Sequence, residues 1–354
     1  MKLLIAAGGT GGHIFPGVSV AEAFVSDKGN EVVFTGTPYG LEERLVPSYG
    51  FRLVKITAKP FLGRGPIAKA GTLLALAKGL TQARRLIKSE RPDAILGMGG
   101  FTSVPVVLAG LYEGVPCFIH EQNVYPGMAN RLLTRWAKAT FVSFAETSQY
   151  LRARKVVRTG NPIRKSMRGK GVQKKDSNFN IFVFGGSRGA RAINDGVLGL
   201  LPYLEAYKQT GVYHQAGADD FDRVSKGYRG SSTTHEVFPF TNEMEKYYNL
   251  ADIVISRSGA STIFELSYFG KPAILVPYPF AAGGHQWKNA SAVEKAGGAH
   301  VIGNGEVSGE RFYTAITELR EHPDELSRMR DAIRSIYVED AELKIVRGIQ
   351  AGVS

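Results

Sequence analysis

The stretch ADIVISRSGASTIFELSYFGKPAILVPYPFAAGGHQWKNA, residues 251–290, decides the fold. The β-branched run after Asp252 suits a strand buried on both faces of a parallel sheet. Ser258, Gly259, Ala260, Ser261 and Thr262 read as a loop of small residues, and 263–269 as a helix stopped by Gly270 and Pro272. A second apolar strand at 273–276 ends in Pro277 and Pro279, and a Gly283-Gly284 loop delivers His285 and Gln286 to another helix start. Small side chains let a ligand approach the backbone. The unpaired amides of a helix start attract an anion such as phosphate. Glu265, expected within the first helical turn, is placed to accept hydrogen bonds from ligand hydroxyls. Phosphate beside a diol is the outline of a nucleotide sugar.

Each of these features has an ordinary explanation when taken alone. The helix macrodipole favours Glu near a helix start, and Gly and Ser are common turn residues. Two successive loops at strand C-terminal ends, both carrying polar groups, favour a site, because that is where α/β sheets bind ligands.

Outward from this stretch, the pattern of strand, glycine loop and helix occurs twice more. Residues 2–7 lead into Gly8-Gly9-Thr10-Gly11-Gly12-His13, and residues 179–184 into Gly185-Gly186-Ser187-Arg188-Gly189-Ala190. Two such openings imply two Rossmann-like domains, each a doubly wound parallel sheet. The dinucleotide fingerprint fails in the first, where Ile14 stands in place of the third glycine, and no acidic residue follows the strand at 31–35. His13 falls at a helix N-terminus, whose positive end disfavours the imidazolium and leaves a neutral base. Gly99, Gly100 and Phe101 form another glycine-rich loop after a strand, and His120, Glu121, Gln122 and Asn123 cluster at the next strand end. Residues 150–175 hold ten basic residues and no acidic one around Gly160-Asn161-Pro162. They read as a solvated linker at a domain boundary, with Arg164 just past the turn, placed to enter a cleft. The spacing Asp220-Phe221-Asp222 reads as helix-start charge rather than a metal clamp. The last helix is expected at 339–346.

With 354 residues the chain has room for two cores. A net charge of +12 and a pI near 9.6 call for an anionic partner: nucleotide phosphates, nucleic acid or a membrane. The single cysteine, Cys117, excludes an internal disulfide framework, fits a reducing compartment and reads as a buried core residue. The longest apolar run, 104–111, is too short to span a bilayer, so a cytoplasmic, at most peripheral, protein is expected. Residues 52–88 contain nine Lys or Arg and no acid. There the spacing of Leu73, Leu76, Leu80, Ala83 and Ile87 predicts a core-facing stripe. Phe61, Leu62, Ile67 and Leu74 fall outside the stripe, beside Arg64, Lys69, Lys78, Arg84 and Arg85, the composition of an anchor on an anionic membrane. Aliphatic rather than aromatic neighbours weigh against nucleic acid.

Seven stretches in this order resemble the MurG family, the bacterial glycosyltransferases of peptidoglycan synthesis. They are GGTGGHIFPG (8–17), GMGGF (97–101), HEQN (120–123), GNPIR (160–164), GGSRGA (185–190), SGASTIFE (258–265) and HQWKNA (285–290). The resemblance covers essentially the whole chain. It implies an α/β GT-B fold, two Rossmann-like doubly wound parallel-sheet domains with an interdomain cleft. An acceptor and membrane-docking domain would comprise 1–161, joined by the last helix, 337–354, and a UDP-GlcNAc-binding domain would comprise 162–336. The implied reaction is inverting transfer of GlcNAc from UDP-GlcNAc to the C4 hydroxyl of MurNAc in lipid I (undecaprenyl-pyrophosphoryl-MurNAc-pentapeptide), giving lipid II.

Carried over by position, the donor site comprises Thr10, Gly11, Gly12, Asn123, Arg164, Ser187, Thr241, Ala260, Ser261, Thr262, Ile263, Phe264, Glu265 and Gln286. In that resemblance the backbone near Phe240 and Thr241 takes uracil, Glu265 the ribose hydroxyls, and Ser187 with the loop before Glu265 the diphosphate. His13 is the expected catalytic base; Gly99, Gly100, Phe101, His120 and Glu121 are acceptor candidates. The sequence presents no metal site and requires no cofactor, leaving Mg2+ assistance open. Expected partners are UDP-GlcNAc, lipid I, an anionic membrane surface at the cytoplasmic face and other cell-wall synthesis proteins, but no nucleic acid. Where the family often carries an acidic pair, this chain has Ala281-Ala282-Gly283-Gly284, so a more mobile loop is expected there. The alternatives are another GT-B enzyme, such as a UDP-GlcNAc 2-epimerase or a glycolipid synthase, and, more distantly, a basic nucleic-acid-binding protein.

Overall fold

The structure is a computed structural model and describes residues 1–59, 66–169, 174, 178–186, 189–207 and 209–353; for 66–71 and 73 it describes the backbone alone. Two compact units emerge, Met1–Arg164 with Val338–Ser354, and Lys165–Tyr337. The sequence reading put the divisions after 161 and 336.

In the first unit the strands are β1 (Lys2–Ala6), β2 (Glu31–Gly36), β3 (Arg52–Lys55), β4 (Ala94–Gly97), β5 (Cys117–Glu121), β6 (Ala139–Val142) and β7 (Val156–Arg158). Among the described residues they form one parallel sheet of order β3-β2-β1-β4-β5-β6-β7. The helices are α1 (Gly11–Val25), α2 (Glu42–Ser48), α3 (Pro66–Glu90), α4 (Gly100–Tyr112) and α5 (Met128–Leu133). Alternation along β1 divides the core between two faces. Leu3 and Ile5 join Phe34, Leu96, Phe118 and Phe141 beneath α1, whereas Leu4 and Ala6 join Val33, Ile95 and Ile119 beneath α3 and α4. The expected stripe on α3 faces this second core: Ala83 and Ile87 are buried, with Leu76 and Leu80 packed against it.

The second unit carries β8 (Phe179–Phe184), β9 (Thr210–Gln215), β10 (Thr234–Phe238), β11 (Ile253–Ser256), β12 (Ala273–Leu275) and β13 (Ala299–Val301). They form a parallel sheet of order β10-β9-β8-β11-β12-β13. Its helices are α6 (Arg191–Leu204), α7 (Phe221–Gly227), α8 (Met244–Leu250), α9 (Ala260–Phe269), α10 (His285–Lys295), α11 (Gly309–Glu321) and α12 (Pro323–Arg334). One face of the sheet is aliphatic, with Ile181, Val183, Val212, Ile253 and Ile255 under α6 and α11. On β8, Phe182 and Phe184 belong instead to an aromatic cluster with Tyr247 and Tyr248 of α8.

Two expectations need correction. The basic run at 150–175 is not simply a solvated linker. Val156–Arg158 is the edge strand β7, and residues 159–163 are buried, because Val157 has the first core to pack against. The final helix, α13 (Ala341–Val353), is longer than 339–346, since Ile345, Val346 and Ile349 extend one apolar face into the core of the first unit.

Gly348 on α13 lies against Phe141, where an added Cβ would stand 2.6 Å from the ring Cε1. Replacing Gly by Ala in a helix gains about 1 kcal/mol from propensity. Overpacking a tight core costs about 1–3 kcal/mol, so the clash outweighs the gain. Gly348→Ala should therefore lower the urea midpoint of unfolding, and a raised midpoint would show that α13 rests loosely on the sheet.

Candidate active site

In each sheet there is one place where neighbouring strands send their crossovers to opposite faces. These places lie between β1 and β4, and between β8 and β11. Loops diverge there and leave backbone groups exposed at the strand C-termini.

In the first unit the loop after β1 meets the loop after β4. A Cβ on Gly100 would stand 3.0 Å from the Gly8 carbonyl oxygen, and Gly9, Gly99 and Gly100 all have positive φ, which glycine adopts without strain. The Ser103 hydroxyl ties the second loop down. It accepts from the Gly99 amide (3.1 Å) and has the Ala6 carbonyl (3.0 Å) and the Gly99 carbonyl (2.8 Å) within donating reach. His13, in the first turn of α1, places Nδ1 3.1 Å from the Gly8 carbonyl. A carbonyl only accepts, so Nδ1 carries the hydrogen and Nε2 is the basic nitrogen. Nε2 faces Gly99: a Cβ there would lie 3.3 Å from it.

His120 and Glu121 were acceptor candidates, but both are buried, and their hydrogen bonds point inward. His120 Nε2 donates to the Gly160 carbonyl (3.2 Å), while Nδ1 accepts from Gln122 Nε2 (3.0 Å), an amide that also donates to the Met98 carbonyl (2.9 Å). Burial pushes the imidazole of His120 down to about 4; the Gly160 carbonyl opposes this and nearby His13 adds to it. Glu121 accepts from the amides of Asn123 (2.9 Å) and Gly127 (3.0 Å) and from the side chains of Asn123 (3.2 Å) and Asn130 (2.8 Å). These two residues position three loops, at 98–100, 123–127 and 160–164. Arg164 stacks its guanidinium 4.8 Å over Phe15 of α1.

In the second unit α9 begins at Ala260, three residues earlier than expected, with Gly259 extended as its N-cap and no side chain capping it. Small residues complete the first turn without crowding, so the amides of Ala260, Ser261 and Thr262 head the helix. Glu265 therefore lies in the second turn, not the first. It is 8% exposed, and its Oε2 accepts from the Tyr248 hydroxyl at 3.0 Å. The Ser261 hydroxyl is buried and makes no hydrogen bond among the described residues. Gln286, at the start of α10, accepts from the Tyr278 amide through Oε1 (2.9 Å) and from the Ser258 hydroxyl through its carbonyl (2.8 Å), holding the loops after β11 and β12 together. Gly283 and Gly284 both have positive φ in the turn before it. Gln215, closing β9, donates to the Gly186 carbonyl (3.2 Å) and accepts from the Thr241 amide (3.2 Å).

The structure thus brings Thr10, Gly11, Gly12 and His13 together with Gly99, Gly100 and Phe101 in one unit. In the other it gathers the segment Ala260–Glu265 with Gln286, and links Thr241 to the glycine loop after β8. Asn123 sits on the Glu121 network. The side chains of Ile263 and Phe264 are buried in the core, where they seat α9. Ser187, Phe61, Leu62 and the side chain of Ile67 lie outside the described residues.

Three positioning residues escaped the sequence reading. Gln215 carried a usable signal, a polar residue ending an apolar strand. Tyr248 carried none. Glu42 carries no such signal, yet it is fully buried. It accepts from the Gly9 amide (3.0 Å), the Thr37 amide (2.8 Å) and the Thr37 hydroxyl (2.8 Å), pinning the first glycine loop from below.

Comparison with known proteins places these features. Residues 3–142 match the glycosyltransferase family 28 N-terminal domain and residues 180–343 its C-terminal domain. Over 353 residues the chain is 42% identical to the UDP-N-acetylglucosamine--N-acetylmuramyl-(pentapeptide) pyrophosphoryl-undecaprenol N-acetylglucosamine transferase of Geotalea uraniireducens, covering 98% of this chain and 97% of that one. The crystal structure of Acinetobacter baumannii MurG aligns with a TM-score of 0.81 at 30% identity, over 99% of both chains. This chain belongs to the MurG family. Like other members it is a glycosyltransferase with two parallel-sheet units of the GT-B kind. The UDP-GlcNAc 2-epimerase of Neisseria meningitidis also aligns, with a TM-score of 0.69 over 99% of this chain and all of that one, but at 16% identity, a likeness of fold alone. Sequence therefore separates the MurG family from the epimerases where shape does not.

Two buried histidines make this chain sensitive to acid. His120 is pushed down to about 4, and His214 to about 3 by burial, against a raising influence from Asp220. An unfolded histidine titrates near 6.5. Below that pH the unfolded chain takes up protons that the folded one refuses, so stability falls as pH falls from about 6.5 toward 4 and 3. The loss is about 1.4 kcal/mol per unit of depression. Urea midpoints at pH 7.5 and 5 should fall more for the unsubstituted protein than for His120→Gln. Parallel declines would mean that His120 does not titrate differently on folding.

Proposed function

We infer that this chain transfers N-acetylglucosamine from UDP-N-acetylglucosamine onto the lipid-linked N-acetylmuramyl-pentapeptide, the reaction for which its relatives are named. The observation that carries this reading is the 42% identity with such a transferase across 98% of the chain. The proposed chemistry is a single displacement with inversion. The acceptor C4 oxygen attacks the anomeric carbon, the bond from that carbon to the β-phosphate oxygen breaks, and the acceptor proton passes to a base.

His13 is the proposed base: its Nδ1 hydrogen is committed to Gly8, so Nε2 is the nitrogen that takes the proton. The leading amides of α9 and the Ser261 hydroxyl are proposed to hold the diphosphate, Glu265 the ribose hydroxyls, and the backbone near Thr241 the uracil. Arg164 is proposed to meet the charge of the departing UDP. Thr10, Gly11, Gly12, Asn123 and Gln286 complete the proposed donor contacts, and Gly99, Gly100 and Phe101 those of the acceptor. Incubation of labelled UDP-GlcNAc with a lipid I analogue should give a lipid-linked disaccharide; release of free sugar without it would instead favour epimerase-like chemistry. His13→Ala should lower kcat roughly 100-fold or more with little change in donor affinity. A near-normal kcat with a raised acceptor KM would make His13 a binding residue.

The polyprenyl tail keeps the acceptor in the bilayer, while no helix among the described residues is long and apolar enough to cross a membrane. Docking of the first unit on the cytoplasmic face follows as part of the proposal. Leu74 is 73% exposed on the basic helix α3. Exposed Met128, Leu132 and Trp136 lie near Arg131 and Arg135, the latter 5.2 Å over the Trp136 ring. Apolar side chains among cations suit an anionic interface, each cation adding about 1 kcal/mol. The protein should co-sediment with anionic liposomes, and less so in high salt. Replacing Phe61, Leu62 and Leu74 by Ser should reduce both sedimentation and turnover of a long-chain acceptor, sparing a short-chain one. Equal losses on both acceptors would sink the docking idea.

A further inference from the structure

Helix α8 lies between the loop that ends β10 and the strand β11, and carries two adjacent tyrosines that point in different directions. Consecutive helical residues diverge by about 100°. Tyr247 donates to Glu236 Oε1 on β10 at 2.7 Å and stacks on Phe238, with centroids 4.6 Å apart. Tyr248 turns the other way. It is fully buried, and its hydroxyl donates to Glu265 Oε2 on α9 at 3.0 Å. Its ring is held on several sides: stacked on Phe269 at 4.9 Å and 10°, and edge-on to Phe182 at 5.5 Å and Phe184 at 5.8 Å. A ring clamped in this way has little freedom to swing its hydroxyl, so the bond fixes one carboxyl oxygen of Glu265 in space.

We propose that Tyr248 is the positioning residue for Glu265 in nucleotide recognition, orienting its carboxyl group toward the ribose diol and so setting the preference for ribonucleotides. This inference rests on the reading that Glu265 accepts the ribose hydroxyls. A carboxyl group on a stem of two methylenes rotates readily, and a diol is gripped only when the oxygens are presented at a set angle. Tyr248 supplies that angle from a side chain that itself touches no nucleotide. Through α8 the same helix also braces β10, the strand leading to Phe240 and Thr241, so the base-side and ribose-side contacts share one support.

The test is a comparison of UDP with 2′,3′-dideoxy-UDP by calorimetric titration, which isolates the diol. The unsubstituted protein should bind UDP more tightly, and Glu265→Ala should abolish that preference. Tyr248→Phe, which keeps the ring and its stacking, should weaken UDP roughly three- to tenfold, the effect of losing one orienting hydrogen bond, while leaving the dideoxy nucleotide unchanged. In the double variant Tyr248→Phe should add nothing to Glu265→Ala. Phe269→Leu, which loosens the stacked ring but spares the hydroxyl, should shift the preference in the same direction by less. An equal loss for both nucleotides in Tyr248→Phe, or an undiminished preference for UDP, would overturn the proposal while leaving the role of Glu265 intact. If Glu265→Ala itself kept the preference, the ribose reading would fall, and the proposal with it.

Discussion

In a parallel sheet every connection must return over one face, from the C-terminal end of a strand to the N-terminal end of the next, and where two crossovers take opposite faces the loops part. Amides and carbonyls that would be paired elsewhere stand open at that gap. This chain meets the constraint at β1/β4 and at β8/β11. Each candidate functional segment is a solution to the same problem, namely what to place where the ladder of hydrogen bonds ends. Glycines let loops press against one another there, and helix starts bring further amides.

The open ends are stiffened from beneath by acidic side chains that make no ion pair among the described residues. Glu42 and Glu121 are buried and bonded to amides, a hydroxyl and carboxamides. Burying a carboxyl group costs several kcal/mol unless its oxygens are satisfied. Four donors around Glu121 and three around Glu42 meet that requirement, and in return each group fixes backbone several residues away. The second unit uses neutral groups for the same purpose: Gln215 spans two loops, and His214 links Tyr228 to Asn194 through both ring nitrogens, at 3.0 Å each.

Much of the fold was legible in the sequence because β1, β2, β4 and β8 are apolar runs closed by glycine, a pattern with few other meanings. The stripe on α3 was legible because its spacing follows helical geometry. Less legible was anything that depends on burial of a polar residue. Glu121 stands in a polar cluster that points to a ligand and Glu42 carries no signal at all, and only the surrounding chain, folded over them, makes both internal. The start of α9 was misjudged for a related reason: Ala260, Ser261 and Thr262 are equally at home in a loop or a first turn, and the extended Gly259 decides between them. The strand β7 was hidden inside a cationic run, where charge suggested solvent although Val157 had a core to join.

The bond from the Gly9 amide to Glu42 also sets the two glycine loops of this duplicated architecture apart. In the second unit the glycine loop after β8 is held through an acceptor, the Gly186 carbonyl, which takes a hydrogen bond from Gln215. In the first, the corresponding loop arrives with one donor already spoken for by an acidic residue of the same chain. A second acceptor brought to Gly9 would compete with this resident one for a single hydrogen. One glutamate thus holds the first glycine loop by a donor and one glutamine holds the second by an acceptor, so the two openings are not chemical copies of one another.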